Sequence, residues 1–205
     1  MTVSCAEKDK RVALAAPASV PAQLPLQRQL TWWALAFPAV MIVALAWHDV
    51  QLLNWIHVLS GVLWTGADIF LGFIVGPVLR RMDPAQRTAF ITYFVPRSLL
   101  YFPAVSLTTG TAGWYLASWL GLTSPANPQF GWTVAALILI TLMTILGLGI
   151  MTPNSLRIWF ELRKPAPNRQ LIISLNRYNV INAAIQGTMQ IMIIVVMSHL
   201  TLGGP

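Results

Sequence analysis

The fold is decided by residues 51–79, which read QLLNWIHVLSGVLWTGADIFLGFIVGPVL. This stretch contains no Lys, Arg or Glu, and its ionisable side chains are those of His57 and Asp68. A helix needs about 20 mostly apolar residues to cross a hydrocarbon core of about 30 Å. The stretch therefore predicts a transmembrane helix that carries two ionisable groups in its interior.

Four other stretches have the same character. We predict transmembrane helices at residues 30–47, 51–79, 98–122, 130–153 and 178–202. The chain of 205 residues is 56% hydrophobic and only 9% charged, and its mean hydropathy is +0.65. A soluble domain has roughly a quarter of its residues charged. The prediction is an all-α polytopic membrane helical bundle of five transmembrane helices, residues 30–203, which follows a disordered cytoplasmic tail, residues 1–29.

The basic residues predict the orientation of the bundle. All 13 Lys and Arg residues fall in the N-terminal tail or in the segments after helices 2 and 4, whereas residues 123–129 and the C-terminal end have none. Because cationic loops resist translocation, the N-terminus is expected in the cytoplasm and the C-terminus in the periplasm. This places the chain in the lipid bilayer of a bacterial inner membrane. The net charge of +7 is thus explained without a nucleic-acid partner.

Prolines predict several helix boundaries. Asp83 and Pro84 are typical of a helix start, so we expect a short surface helix from there that Pro96 ends. Pro153 is expected to end helix 4, and the helical pattern from Arg169 can continue into helix 5. Helix 1 has an alternative interpretation, as a signal peptide with small residues at 44–46, and its cleavage would leave four helices.

One face of predicted helix 2 carries the residues best suited to chemistry. At 3.6 residues per turn, this face contains His57, Gly61, Trp64, Asp68, Gly72 and Val75. Ionisable residues in a membrane helix usually face the bundle interior, and the pair Gly72 and Gly76 allows another backbone or a flat ligand to approach closely. His57 and Asp68 are about 16 Å apart along the helix, so either they serve different sites or only one of them serves any site.

Asp68 has two interpretations. A buried carboxylate either takes up a proton or finds hydrogen-bond donors, and Gln186 and Gln190 of helix 5 are expected at a similar depth. Asp68 is then either part of an interhelical hydrogen bond or a proton relay or quinone-site acid. These glutamines belong to a polar stripe that should face the bundle, together with Asn179, Asn182 and Met197.

The histidines are candidate ligands. His48, His57 and His199 are all predicted in the outer half, with His199 nearly opposite the polar stripe, and neutral imidazole is a common ligand of haem iron and copper. His57 is the best placed, and a structural hydrogen bond to a neighbouring helix is its alternative role. His48 is a second candidate metal ligand, and Met197 could supply a thioether. The single cysteine, Cys5, excludes a thiolate metal site within one chain.

The segment WIHVLSGVLWTG, residues 55–66, resembles a known pattern. It is similar to the first core helix of the copper-resistance CopD-like membrane proteins and of the membrane part of bacterial urate oxidases of the PuuD type. A looser likeness extends to the HemJ haem-pathway proteins. The pattern continues through Pro77 and the Arg80-Arg81 pair, and through Thr109-Gly110 to Gln190. The resemblance implies a compact bundle with His57 as a ligand of haem b or copper.

Three functions remain open from the sequence. The first is a haem b electron-transfer component with a membrane or periplasmic redox partner, in which His57 is the ligand and Gly61 and Trp64 shape the pocket. The second is copper handling through His57, His48 and the methionines. The third is an accessory or anchor subunit without a cofactor, in a homo- or hetero-oligomer. The chain has no phosphate loop, nucleophile elbow or zinc signature, so a soluble-type hydrolase or nucleotide enzyme is not indicated.

Overall fold

The structure, a computed structural model, describes residues 25–202, and every regular element in this range is a helix. The five main helices are α1 (Trp32–Ala46), α2 (Val50–Arg81), α3 (Pro84–Trp119), α4 (Phe130–Leu162) and α5 (Arg169–Leu202). The all-α prediction is confirmed. Most of the predicted disordered tail, including Cys5, lies outside the described residues, but Leu26–Gln29 within it forms a helical turn.

Four helices, α2 to α5, are long and apolar enough to cross a membrane. Helix α1 is shorter, because it begins with a 3₁₀ turn at Trp32–Leu35 and ends at Ala46. At about 1.5 Å per residue in its α-helical part, α1 does not reach the roughly 30 Å of a hydrocarbon core. The structure thus supports four membrane-crossing helices, and a fifth at residues 30–47 stays a prediction.

The four long helices form a ring in which α2 contacts α3 and α5, and both of these contact α4. Two glycines of α2 allow α5 to come close to it. A Cβ atom on Gly72 would lie only 2.6 Å from the Cα of Ala184, and one on Gly76 would collide with the side chain of Val180. The predicted role of these two glycines in helix packing is confirmed, and α5 of the same chain is the helix that they admit.

Basic residues gather at one end of the bundle, where α2 and α4 finish and α3 and α5 begin. We call this the basic end; its residues are Arg80, Arg81, Arg87, Arg157, Arg163, Lys164, Arg169 and Arg177. A small apolar core closes it, and consists of Ile91, Val95, Ile158, Leu162 and Ile172. The larger core lies towards the opposite end and includes Phe37, Met41, Leu53, Ile56, Val105 and Leu116.

Helix α3 does not follow the predicted boundaries. It runs without interruption from Pro84 through Pro96 to Trp119, so the separate surface helix is a wrong prediction. Its first turns place Ile91 and Val95 in the core at the basic end, and this burial outweighs the backbone hydrogen bond that Pro96 cannot make. Pro84 takes the first helical turn as predicted, but the Asp83 side chain makes no capping hydrogen bond.

Two other prolines lie directly after widened turns. The π-helical segments Phe70–Val75 and Ile145–Met151 precede Pro77 and Pro153. A proline ring clashes with the preceding helical turn and has no N–H to donate, and a wider turn removes both conflicts. The prediction that Pro153 ends helix 4 is therefore wrong, since α4 continues to Leu162. The predicted extension of helix 5 back to Arg169 is confirmed.

Candidate functional site

A cavity opens between α2, α3, α4 and α5, in the half of the bundle nearer the basic end. The space between the helices is about 830 Å³ when the open solvent at its mouth is included. Small-molecule sites typically have mostly apolar walls. The apolar lining here is rich in aromatic rings and sulfur, and includes Trp64, Phe90, Phe94, Phe102, Met143 and Met151.

Asp68 and Gln186 form the deep end of this cavity, near the middle of the bundle. The Nε2 of Gln186 donates a hydrogen bond to Oδ2 of Asp68 over 2.9 Å, and the Nε2 of Gln190 donates to the same oxygen over 3.1 Å. The three side chains are between 0% and 2% exposed. The predicted interhelical hydrogen bond between Asp68 and helix 5 is confirmed, and it joins α2 to α5 at mid-bundle.

Three oxygens of this group have no hydrogen-bond partner among the described residues. They are Oδ1 of Asp68 and the Oε1 atoms of Gln186 and Gln190. The indole of Trp64 faces the carboxyl group but does not reach hydrogen-bond geometry with Oδ1. An unpaired buried acceptor costs about 1–3 kcal/mol. A ligand with a hydrogen-bond donor at the deep end of the cavity could therefore pair with these oxygens.

A second polar group lines the cavity closer to the basic end. Asn179 of α5 donates from its Nδ2 to Oγ of Ser155 over 3.0 Å and to the carbonyl of Met151 over 3.3 Å. Its Oδ1 accepts from Asn154 over 3.2 Å. Asn176, one turn earlier on α5, is buried and also lines the cavity. These amides hold α4 and α5 together and make one wall of the cavity polar.

His57 lies in a separate place, between α2 and α3. Its Nδ1 is 2.9 Å from the carbonyl oxygen of Thr109, and because a carbonyl can only accept, Nδ1 carries the proton. The ring packs on Gly113, where a Cβ would come within 2.8 Å of its Cε1. The hydroxyl of Thr109 donates to Ser60 over 2.8 Å and fixes the same contact. The structural hydrogen bond considered for His57 is thus present, and Nε2 is left as an unprotonated nitrogen.

The other predicted site residues are dispersed. Gly61 packs against the Thr109 side chain of α3 rather than against the cavity, whereas Trp64 lines the cavity. His48 forms the turn between α1 and α2 in a left-handed backbone conformation, with φ of 51°, and its ring packs on Trp119. Met197 is half-buried near the end of α5 and is not among the side chains of the larger core.

His199, which the sequence places nearly opposite the polar stripe of α5, packs against α4. Its ring centroid lies 4.2 Å from that of Trp132 on α4, and its Nε2 is buried without a partner among the described residues. Within residues 25–202, no three His, Cys, Asp or Glu side chains are grouped to hold a metal ion.

Neither the cavity nor the network of Asn154, Ser155 and Asn179 was predicted from the sequence. A signal for the network was present, because Asn154 and Ser155 directly follow the apolar stretch that ends at Pro153. The cavity had no such signal, since empty space depends on how far the four helices separate.

The fold and the site define a class: an all-α, multi-pass helical bundle of membrane-protein type with a polar group at the deep end of an internal cavity. Compared with known proteins, the chain matches no family model, no curated protein sequence and no solved structure.

Proposed function

We propose that this protein binds a quinol in its internal cavity and acts as an electron-transfer component of a bacterial inner membrane. The observation that carries the proposal is the cavity with aromatic walls and a deep end formed by Asp68 and Gln186. A quinol has a flat ring, two hydroxyl donors and an apolar tail. These three parts correspond to the aromatic wall, the unpaired oxygens and the apolar lining.

The direction of the hydrogen bonds favours the reduced form. The unpaired atoms at the deep end, Oδ1 of Asp68 and Oε1 of Gln186, accept hydrogen bonds. A quinol hydroxyl can donate to either of them, whereas an oxidised quinone has only acceptor oxygens. We therefore expect the quinol to bind more tightly than the quinone.

The proposed role includes a redox partner. Oxidation of a bound quinol breaks its two O–H bonds and releases two protons and two electrons. The electrons pass to a membrane or periplasmic redox protein, one proton goes to Oδ1 of Asp68, and the other goes to water in the cavity. In this role the chain supplies the binding site and a proton acceptor, and the partner supplies the oxidant.

Binding of a benzoquinol with a decyl tail to the full chain in lipid nanodiscs tests the proposal. We expect saturable binding of the quinol, and a loss of about tenfold or more in affinity in Asp68→Leu, because a hydrogen bond to a charged group contributes about 1.5–3 kcal/mol. Ser118→Ala removes a half-buried hydroxyl of α3 that does not line the cavity; it is the control and should bind as the wild type does. Equal affinity in Asp68→Leu, or no saturable binding at all, would contradict the proposal.

A second candidate function, a haem b site on His57, is favoured by the hydrogen bond from Nδ1 to Thr109. A partner on one imidazole nitrogen commonly fixes the other as a metal ligand. The bound haem would supply one-electron transfer. His57 does not line the large cavity, however, so haem would need a site of its own, and we rank this function second.

A reduced-minus-oxidised optical spectrum with metal analysis separates the remaining functions. A haem band that is lost in His57→Ala and kept in His48→Ala supports haem b. Copper without haem, lost in either variant, supports copper handling through these two histidines. A colourless, metal-free chain that binds no quinol and copurifies with a larger complex supports an accessory or anchor subunit.

A further inference from the structure

The carboxyl group of Asp68 has no cationic partner in the described part of the chain. On its own helix it faces Trp64, and the glutamines face it from α5. The titratable group that faces it from α3 is Tyr101, whose hydroxyl donates to the carbonyl of Leu63 over 3.1 Å. From α4, Met143 and Gly147 line the same cavity and cannot titrate. When Asp68 is ionised, it and the two glutamines together carry one negative charge. A single bound positive charge would make them neutral.

The number of free oxygens decides which cation fits. Hard divalent cations such as calcium take six or more oxygen ligands, whereas three unpaired oxygens are present here, on Asp68, Gln186 and Gln190. A proton needs one oxygen to bind and one more to accept its hydrogen bond. Protonated Oδ1 of Asp68 would be such a donor, and an Oε1 of either glutamine would be its acceptor.

The polar wall of the cavity connects this group with the basic end. Asn176, Asn179 and Gln186 lie on one face of α5, and Asn176 is about 15 Å from Gln186 along the helix. Thr152 and Ser155 line the cavity from α4 on the same side. The cavity is large enough for several water molecules, and these side chains provide the polar partners that ordered water requires.

We infer that Asp68 is a proton-binding site that exchanges its proton with the basic end of the bundle through the cavity, along Asn179 and Asn176. The inference deepens the proposed function and rests on the same cavity, because quinol oxidation there releases a proton beside Asp68. Proton exchange itself needs no quinol. A test without quinol therefore separates the failure of this inference from the failure of quinol binding.

Infrared spectroscopy of the full chain in lipid nanodiscs, without quinol, is the test. The C=O stretch of a protonated carboxyl group shifts when the proton is replaced by deuterium. We expect such a band in the wild type at pH values low enough to protonate Asp68, and the loss of that band in Asp68→Asn. After transfer to D₂O, the rate at which the band shifts measures the exchange of the carboxyl proton. This rate should fall about tenfold or more in Asn179→Leu and in Asn176→Leu, because each variant replaces a polar side chain along the cavity wall with an apolar one.

The controls keep the outcome clear. Thr188→Val changes an exposed hydroxyl on another face of α5 and should exchange as fast as the wild type. Asn179 also donates hydrogen bonds to α4, so Asn179→Leu can impair folding. If it does, Asn176→Leu is the decisive variant. The inference is overturned if wild type and Asp68→Asn have the same carboxyl band over the whole pH range. It is also overturned if Asn176→Leu exchanges at the wild-type rate.

Discussion

Gln186 donates a hydrogen bond of 2.9 Å to the carboxylate of Asp68, across 118 positions of sequence and between two helices of the membrane bundle. This contact does three things. It joins α2 to α5 near the middle of the bundle, it uses Oδ2 of the carboxylate, and it leaves Oδ1 at the deep end of a cavity. The stability of the bundle and the chemistry of its site therefore depend on the same pair.

The two glutamines are expected to stabilise the bundle through Asp68. Gln186→Leu and Gln190→Leu should each lower the free energy of unfolding by about 1 kcal/mol, since each removes a buried donor. In a double-mutant cycle with Asp68→Leu, the coupling should be about 0.5–3 kcal/mol. Unfolding in mixed micelles measures these values, with Thr188→Val as the control. Purely additive effects would mean that the contact contributes nothing.

The packing of α2 on α5 is tested at the glycines. Gly72→Ala should destabilise the chain by about 1–3 kcal/mol, because the new methyl group would lie 2.6 Å from the backbone of Ala184. Gly66→Ala is the matched control on the same helix, where nothing lies within 4 Å of the added atom. That change should be neutral or stabilising by up to about 1 kcal/mol. Equal melting temperatures of the two variants would contradict the close approach.

The contact between His57 and α3 is tested at Gly113. Gly113→Ala should displace the imidazole ring and weaken its hydrogen bond to Thr109, since the added Cβ would come within 2.8 Å of Cε1. Nitrogen-15 NMR of His57 should find the ring proton on Nδ1 in the wild type and a mixture of the two tautomers in Gly113→Ala. Gly110→Ala, with ordinary spacing of 3.6 Å to Ile140, should keep the wild-type tautomer. A proton on Nε2 in the wild type would contradict the described contact.

The orientation of the bundle is tested by labelling single cysteines in a Cys5→Ser background. Gln86 lies at the basic end, and Ala126 lies in the loop between α3 and α4. Because basic loops stay in the cytoplasm, a membrane-impermeant maleimide added to intact bacterial protoplasts should label Ala126→Cys and spare Gln86→Cys. The reverse pattern would invert the topology and place the cavity on the periplasmic side.

Much of the site could be predicted from the sequence because it depends on helical period and depth. The face that contains Trp64 and Asp68, and the meeting of Asp68 with Gln186 and Gln190, follow from spacing along two helices. The continuity of α3 through Pro96 could not be predicted, because the burial of Ile91 and Val95 against other helices overrides a local rule. The position of His199 and the cavity depend on how the helices are placed around each other, and no single helix encodes that.

Photolabelling with an azido derivative of the decyl benzoquinol tests the central claim, that the cavity ending at Asp68 and Gln186 is the binding site. We expect the label to attach to peptides carrying cavity residues such as Phe102, Met143 and Met151, and unlabelled quinol to compete for them. Labelling confined to side chains on the outer surface of α4, such as Ile138 and Leu142, without competition, would contradict it.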